Sequence, residues 1–482
     1  MIRVLCATYH ILPIHLRLPF RYGIVTLHEM EHCFVRVKAV IDGTEVVGIA
    51  ADNLAPKWFT KNPQTTIEQD VAEMKQVIAT ACANAERISQ AQTVFEFWQK
   101  LYAEAQALSA LPPLLSSFGV SLVERALIDA FCRAKGESFA SAIRRNALGI
   151  RLGAIHPQLA GSEPGDWLPA QPLRRFVLRH TVGLLDPLTD DSLAHIADTE
   201  GAAELADDDL PRSLEACIRT YGLTHFKIKL CGDAARDLVR LCAVADVIQR
   251  HSLDYAFTLD GNEQFTTVEA FREAWQVITA AVALQEFLRH LLFVEQPLRR
   301  DVALDEATGE ALLRWNERPP IIIDESDSEL DSMRLALARG YAGASHKNCK
   351  GVFKGIANAC LARVHSSNGA LTGRDVILSA EDLTNIGPVA LMQDLAVVAT
   401  LGISHVERNG HHYFKGLSMF PSEVQACIVK AHGDLYHWHP SGFATLRVCN
   451  GAVDMGSIVD APFGYSPDMD RLGRQHGLFG AT

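Results

Sequence analysis

The chain has 482 residues and a formal net charge of −12, with 57 acidic side chains against 45 Lys and Arg. This length predicts two or three domains, or one large barrel with an appendage, and the 48% share of apolar residues predicts an ordinary globular core. The acidic balance argues against a nucleic-acid partner, because phosphate binding needs a surplus of Lys and Arg on one face.

The eleven cysteines are scattered and never form C-x-x-C, so the sequence predicts neither a disulfide framework nor a zinc knuckle. No apolar run reaches the roughly 18 residues that span a bilayer, and the N-terminus lacks the features of a signal peptide. These patterns favour a cytoplasmic protein without membrane contact that acts on small molecules, and they leave open whether it forms a homo-oligomer.

Residues 1–150 predict an α+β domain. The first 60 residues alternate apolar and polar side chains, and Asp42-Gly43 is typical of a hairpin turn between two strands. From about residue 65 the period becomes helical, as in VERALIDAFCRAKG. Residues 151–173 are rich in Pro and Gly and are interpreted as a linker.

Residues 174–420 predict a parallel sheet built from eight strand-and-helix units. This number of units in about 240 residues is typical of a (β/α)8 barrel, and a doubly wound sheet is the structural alternative. The predicted strands are FVLRHTVGL, HFKIKL, YAFTLD, LLFVEQ, IIIDE, GASHK, DVILSA and GISHVE.

Two further segments do not follow this alternation of strands and helices. Residues 186–210 form an acidic insertion after the first barrel strand, which we expect to be a solvated excursion with some helix. Residues 421–482 return to short mixed strands, and we expect them to pack back on the N-terminal domain.

Polar side chains at the ends of the barrel strands are the candidate site, because strand C-termini line the active sites of such barrels. Asp260, Glu295 and Asp324 end three consecutive strands. Three converging carboxylates would repel one another and have raised pKa values unless a cation neutralised them. Oxygen ligands without Cys or His favour Mg2+, with Mn2+ as the second choice, over Zn2+. A helix-capping role remains the alternative for any single carboxylate.

Lysines flank this predicted metal site. Lys227 and Lys229 share one face of the second strand, and Lys347 follows the sixth, so a closed barrel would place Lys229 and Lys347 on opposite sides of the mouth. A substrate carboxylate bound to the cation would present one face of its α-carbon to each lysine. The cation and Lys227 would stabilise the enediolate formed by proton loss, and the same positive field would lower the pKa of a lysine base.

The segments KIKLCGD, LDGNEQF, VEQPL, IIIDES and HKNCKGVFKGIANA resemble the enolase superfamily, and within it the mandelate racemase and muconate lactonizing enzyme-like proteins. The resemblance implies a (β/α)8 barrel with an α+β capping domain, Mg2+ on the three carboxylates, and acid/base catalysis by Lys229 and Lys347 on a small carboxylate. The use of a Lys base with Mg2+ is an established property of that superfamily. The remaining predicted substrate contacts are Asn262, Glu407, and the capping-domain residues Arg21 and Lys57, which lie near Tyr22 and Trp58.

Several departures leave alternatives open. The sixth-strand segment reads GVFKG where adjacent glycines are usual, and the seventh strand carries Glu381 in place of a His for a His-Asp dyad. A His base is therefore not expected. Racemisation or epimerisation with a base on each face, and cycloisomerisation or syn dehydration with one lysine as base, are the alternatives that the sequence leaves open. A catalytically silent metal-binding protein and a Schiff-base lyase using Lys229 or Lys347 are the rival functions. The pair His411-His412 lies in a Gly-containing loop and is expected to be exposed rather than to form a zinc site.

Overall fold

A computed structural model describes residues 1–108, 110–192, 208–252, 254–367 and 375–479. The N-terminal part is a three-stranded antiparallel sheet in the order β1-β2-β3, covered by helices. Its elements are β1 (Ile2–Tyr22), β2 (Val25–Ile41), β3 (Thr44–Leu54), α1 (Ile67–Arg87), α2 (Val94–Leu108), α3 (Pro113–Lys135) and α4 (Phe139–Arg144).

The predicted hairpin joins β2 to β3. Asp42 and Gly43 both have positive φ values, 48° and 87°, as the two central residues of a type I′ turn require. Helix α3 lies against this sheet and is buried on nearly all of its faces. The approach is closest at Gly48, where an added Cβ would lie 2.0 Å from the carbonyl oxygen of Ala126. Glycine at this position therefore lets the helix pack tightly on the sheet.

A short connecting segment follows, with helix α5 (Pro164–Trp167) and two single turns of 3-10 helix. Its His156 is buried and bonds Asn358 of the barrel at 2.8 Å. The connection is thus packed on the barrel.

Eight parallel strands form the central sheet, in the order β10-β9-β8-β7-β6-β5-β4-β11. The end strands β10 and β11 contact each other, so the sheet curls into a barrel. This confirms the predicted fold and excludes the doubly wound alternative. The strands are β4 (Arg175–Val182), β5 (His225–Lys229), β6 (Ala256–Asp260), β7 (Leu291–Glu295), β8 (Ile321–Ile323), β9 (Gly343–His346), β10 (Ile377–Ala380) and β11 (His405–Glu407).

Helices alternate with these strands. In chain order they are α6 (Leu214–Tyr221), α7 (Ala234–His251), α8 (Val268–Ala280), α9 (Gln285–Leu288), α10 (Glu306–Arg314), α11 (Ser332–Ala338), α12 (Val352–Ser367), α13 (Ala390–Leu401) and α14 (Gly410–Tyr413). Among the described helices, none is both long enough and apolar enough to cross a membrane.

The C-terminal segment contacts both parts of the molecule. Its strand β14 pairs antiparallel with β4 of the barrel. Asp470 forms an ion pair with Arg36 of β2, and the Tyr465 hydroxyl donates to Asp129 of α3 at 2.7 Å. The elements of this segment are α15 (Ser422–Ala431), β12 (Tyr436–Trp438), β13 (Ala444–Leu446), β14 (Ala452–Asp454), α16 (Gly456–Asp460) and α17 (Met469–Gln475).

The acidic insertion lies mostly outside the described residues, so its expected helix content is not addressed. The expectation of solvated acids is wrong at its two ends. Asp186 is buried and accepts from the Tyr413 hydroxyl at 2.9 Å, and Asp208 is buried in a two-bond pair with Arg17 of β1. Both carboxylates are stable in buried positions because each accepts hydrogen bonds from a buried donor, the Tyr413 hydroxyl or the Arg17 guanidinium.

Candidate active site

The carboxyl ends of the barrel strands meet in one cleft below the N-terminal sheet. The cavity in this cleft is small, about 40 Å³, which is room for a few water molecules. Its charged and amide residues from the barrel are Lys229, Asp260, Asn262, Asp324, Lys347, Glu381, Asp382, Glu407 and Asn409.

Lys227 lies at the centre of the carboxylate cluster. Its ammonium nitrogen is 2.9 Å from Asp260 Oδ2, 2.9 Å from Glu295 Oε2, 2.6 Å from Glu381 Oε2 and 3.8 Å from Glu407 Oε2. The side chain is only 1% exposed. One buried ammonium therefore serves as a shared counter-charge for four carboxylates.

The two lysines predicted as acid/base catalysts line the same cleft from different sides. Lys229 donates to Asp260 Oδ2 at 2.6 Å, and Lys347 donates to Asp324 Oδ2 at 2.7 Å. Lys229 ends the second strand of the barrel and Lys347 directly follows the sixth, so the structure brings both lysines to the mouth.

Three carboxylates can converge on a cation: Glu295, Asp324 and Glu381 each have an oxygen within 4.8 Å of the others, and all are buried. Neither oxygen of Glu295 accepts a hydrogen bond in the described part of the chain, although Lys227 lies close to one of them. Buried carboxylate oxygens without donors are the chemistry that a hard dication satisfies. Asp260 differs, because Lys227 and Lys229 contact its Oδ2 and the Asn262 N–H donates to its Oδ1.

Burial and these contacts push the pKa values in opposite directions. Burial, and then the neighbouring Glu381, raise the pKa of Glu295 well above its usual value despite Lys227. For Asp260, the raising effect of burial is outweighed by Lys227 and Lys229, and the pKa falls below its usual value. The rise in carboxylate pKa that is predicted where no cation neutralises the group is therefore found at Glu295, whereas at Asp260 ammonium groups supply the counter-charge.

The sequence predicts a lysine with a lowered pKa, but the charged groups of the protein do not produce one. Burial acts to lower the pKa of Lys347, but Asp324 and Glu381 outweigh it and raise that pKa well above its usual value. The same balance, with Asp260 and Glu295 as the principal partners, raises the pKa of Lys227.

The wall of the cleft opposite the charged floor is apolar. It consists mainly of Phe20, Tyr22, Met30, Ala55 and Trp58 from the N-terminal domain. The Lys347 ammonium lies 4.4 Å from the centre of the Trp58 ring, a cation–π distance. The capping domain thus closes directly over one of the two candidate catalytic lysines.

Two predicted substrate contacts are not brought to this cleft. Arg21 is exposed and lines a separate surface depression with Arg240 and Gln264. The Lys57 ammonium is turned into its own domain, where it lies 2.6 Å from Thr65 Oγ1 and 3.2 Å from Asp70. Arg21 and Tyr22 lie in strand β1 and not in a loop, and Tyr22 and Trp58 carry the side chains that face the cleft.

Sequence reasoning did not assign Glu381 or Lys350 to the site. Glu381 directly follows β10, so the rule that identified the other strand-end carboxylates also applied to it. Lys350 is buried 2.8 Å from Asp324 Oδ1 and donates to the Ser345 carbonyl at 2.7 Å. The sequence evidence for Lys350 was weaker, because this residue lies in a turn after the strand and the alternating pattern of the strand does not extend to it.

The expectation of an exposed His411-His412 pair is wrong. Both rings are buried, at 7% and 2% exposure, because α14 is inserted between β1 and the barrel. The glycine beside them permits this close packing: a Cβ at Gly410 would lie 2.5 Å from the Asn385 carbonyl oxygen.

No protein-family model and no curated protein matches the chain. Solved structures do match over nearly its whole length. An enolase from Bradyrhizobium in complex with magnesium and mandelic acid is 13% identical, covers 98% of each chain and gives a TM-score of 0.58. A muconate lactonizing enzyme from Pseudomonas fluorescens in complex with muconolactone has the same identity, coverage and score.

A third match is an N-succinyl Arg/Lys racemase from Bacillus cereus, 15% identical over 95% of this chain and 97% of that one, with a TM-score of 0.55. The charged cleft of this chain lies where the barrel and the N-terminal sheet of the fold meet. The chain therefore has the fold of the enolase superfamily, in the form shared by mandelate racemase and muconate lactonizing enzyme-like proteins.

Proposed function

We propose that the chain is a Mg2+-dependent enzyme of the mandelate racemase and muconate lactonizing enzyme group, which removes the proton α to the carboxylate of a small acid. The observation that carries this proposal is the joint placement of Lys229 and Lys347 in one cleft with the strand-end carboxylates. Fold alone would not support a reaction, because one fold serves many functions.

Glu295 and Asp324 would hold the cation, together with Asp260 and with Glu381 within reach as a fourth carboxylate. Their buried oxygens fit Mg2+, and Mn2+ has the same ligand preference. The cation supplies electrostatic stabilisation for negative charge developing on a substrate carboxylate.

The protein's own groups supply the rest of the reaction. Lys229 and Lys347 exchange protons with the α-carbon, each through its Nζ. Lys227, Asn262 and Glu407 orient the polar end of the substrate above the barrel floor. The Trp58 ring lies over Lys347 and excludes water from that side of the cleft.

The apolar wall indicates the substrate class. Phe20, Tyr22, Met30 and Trp58 face the charged floor, so the carboxylate would lie on the barrel side and an apolar or aromatic substituent on the capping side. The outcome would be racemisation or epimerisation if both lysines act in turn, and cycloisomerisation or syn dehydration if one lysine is the base and the other an electrostatic partner.

The test is the exchange of solvent deuterium into mandelate, muconolactone and N-succinyl-arginine, followed by mass spectrometry with Mg2+ present. We expect exchange into at least one acid, with a loss of at least about 10²-fold in Lys229→Ala or Lys347→Ala, because a positioned acid or base contributes about 10²–10⁴-fold. Lys38→Ala, an exposed lysine paired with Glu45, is the control and should exchange at the wild-type rate.

The two rival functions make different predictions. A catalytically silent protein would bind Mg2+ yet exchange no acid in a broad panel. A Schiff-base lyase would be trapped by borohydride as a covalent adduct with its substrate. The strand-end carboxylates of the metal-binding type beside Lys229 and Lys347 disfavour this second rival.

A further inference from the structure

A second cluster of metal-binding side chains lies outside the barrel. In β4, Arg179 and Thr181 point into the barrel, where they bond Ser379 and Glu407. The intervening His180 therefore points outward. There it meets Cys217 of α6 and His412 of α14, and all three residues are buried.

The donor atoms of this cluster are close together. Cys217 Sγ lies 3.6 Å from His412 Nδ1, and one donor atom from each of His180, Cys217 and His412 lies within 4.8 Å of the others. His411 adds a second contact, with its Nε2 at 3.3 Å from His180 Nδ1. The other ring nitrogen of His411 is buried and has no hydrogen-bond partner in the described part of the chain.

Two of these separations, Cys217 to His412 and His180 to His411, match those of ligands around zinc. In a tetrahedral site with Zn–N near 2.0–2.1 Å and Zn–S near 2.3 Å, two nitrogens lie about 3.3 Å apart and a nitrogen and a sulfur about 3.6 Å apart. Nitrogen and sulfur donors select zinc over the hard cations that carboxylates bind.

We propose that His180, Cys217 and His412 form a structural Zn2+ site, with His411 as the nearest candidate for the fourth position. The site would join three segments that are distant in sequence: a barrel strand, the first helix after the acidic insertion, and the turn after the last barrel strand. The Arg17 guanidinium supports the same junction, because it donates to the His412 carbonyl at 2.9 Å and pairs with Asp208. Zinc here would anchor the returning end of the insertion against the barrel.

This site is independent of the proposed reaction. Its ligands face away from the barrel interior, whereas the cleft carboxylates lie inside it, and the two sites prefer different cations. A metal measurement can therefore test one site while the other is saturated.

The experiment is a titration of metal-stripped full-length protein with Co2+ alone as the probe, in excess Mg2+ to fill the carboxylate site. Tetrahedral Co2+ bound to a thiolate gives a charge-transfer absorption that carboxylate ligands do not give. Cys217→Ala removes the proposed thiolate. Cys360→Ala removes another buried thiol, in α12, and is the matched control. A competition with Zn2+ then reports whether zinc displaces the cobalt.

We expect one thiolate-bound Co2+ per chain in the wild type, in Cys360→Ala and in Asp324→Asn, displaced by Zn2+. The absorption should disappear in Cys217→Ala, and the affinity should fall by at least about tenfold in His180→Gln, which keeps the thiol. Cys217→Ser serves in place of Cys217→Ala if that variant does not fold. The proposal is overturned if the wild type gives no thiolate absorption, if the absorption persists without Cys217, or if all cobalt binding is lost in Asp324→Asn.

Discussion

Replacing Lys227 with Met tests most directly how the negative charge of the carboxylates in the barrel is balanced. The Lys227 ammonium lies within 2.9 Å of Asp260, Glu295 and Glu381, and the side chain is fully enclosed. Methionine has a similar volume and no charge. The variant therefore leaves the carboxylates without their shared counter-charge while largely keeping the packing.

The expected loss of stability is about 3–5 kcal/mol, the cost of removing one partner from a buried ion pair. At about 2.1 cal/mol/K per residue, the unfolding entropy of 482 residues is about 1 kcal/mol/K. The thermal midpoint should therefore fall by about 3–5 °C in the absence of divalent cations.

Magnesium should reverse part of this loss. A cation at 100 times its Kd stabilises the folded state by about 2.7 kcal/mol, and every tenfold gain in affinity adds about 1.4 kcal/mol. The variant should bind Mg2+ more tightly than the wild type, because its carboxylates no longer share an ammonium. The rise in midpoint on adding Mg2+ should thus be larger by about 1–2 °C or more in Lys227→Met.

The assay is thermal unfolding by calorimetry with and without MgCl2, with NaCl at equal ionic strength as the salt control. Lys38→Met changes an exposed pair with Glu45 and should cost no more than about 1 kcal/mol. Equal magnesium responses in Lys227→Met and the wild type would refute the reasoning. So would a Lys227→Met protein as stable as the wild type without magnesium.

Two further predictions concern the N-terminal domain. Gly48→Ala should destabilise the protein by about 1–3 kcal/mol or more, since its Cβ would overlap the Ala126 carbonyl of α3, and a urea titration that shows no loss would contradict this packing. His32 is buried beside Asn53, and burial lowers its pKa to about 4. A lowered folded-state pKa means that the unfolded chain takes up the proton first, so the stability from this group is present above pH 6.5 and is lost as pH falls toward 4. The stability difference between wild type and His32→Gln should shrink by about 3 kcal/mol over that range, and a difference independent of pH would show that folding does not lower the pKa of His32.

The fold could be predicted because its strands and its helices each have a characteristic repeat of apolar residues in the sequence. Strands such as AFTLD and LLFVE are short apolar runs that end in a carboxylate, and helices with a 3.6-residue period separate them. The same periodicity placed Lys227 and Lys229 on one face and identified the strand ends where site residues meet. Closure of the barrel follows from contact between β10 and β11, which no local pattern encodes.

The remaining features depend on side-chain direction in loops, for which sequence period carries no information. Lys57 and Trp58 are adjacent in a turn, yet the first points into its own domain and the second over Lys347. Asp208 was expected to be solvated. No local pattern reveals its partner Arg17, which is almost 200 residues away in the sequence. Glu381 was the avoidable omission, since it ends its strand as Glu295 and Asp324 do.

The central claim is that Lys229 and Lys347 exchange a proton with the α-carbon of a carboxylate substrate. The most direct measurement is solvent deuterium exchange into the acid that the wild type accepts, compared among wild type, Lys229→Ala and Lys347→Ala with Mg2+ bound. The account predicts that each substitution lowers the exchange rate by at least about 10²-fold while the protein stays folded. Exchange at the wild-type rate in both variants would contradict it.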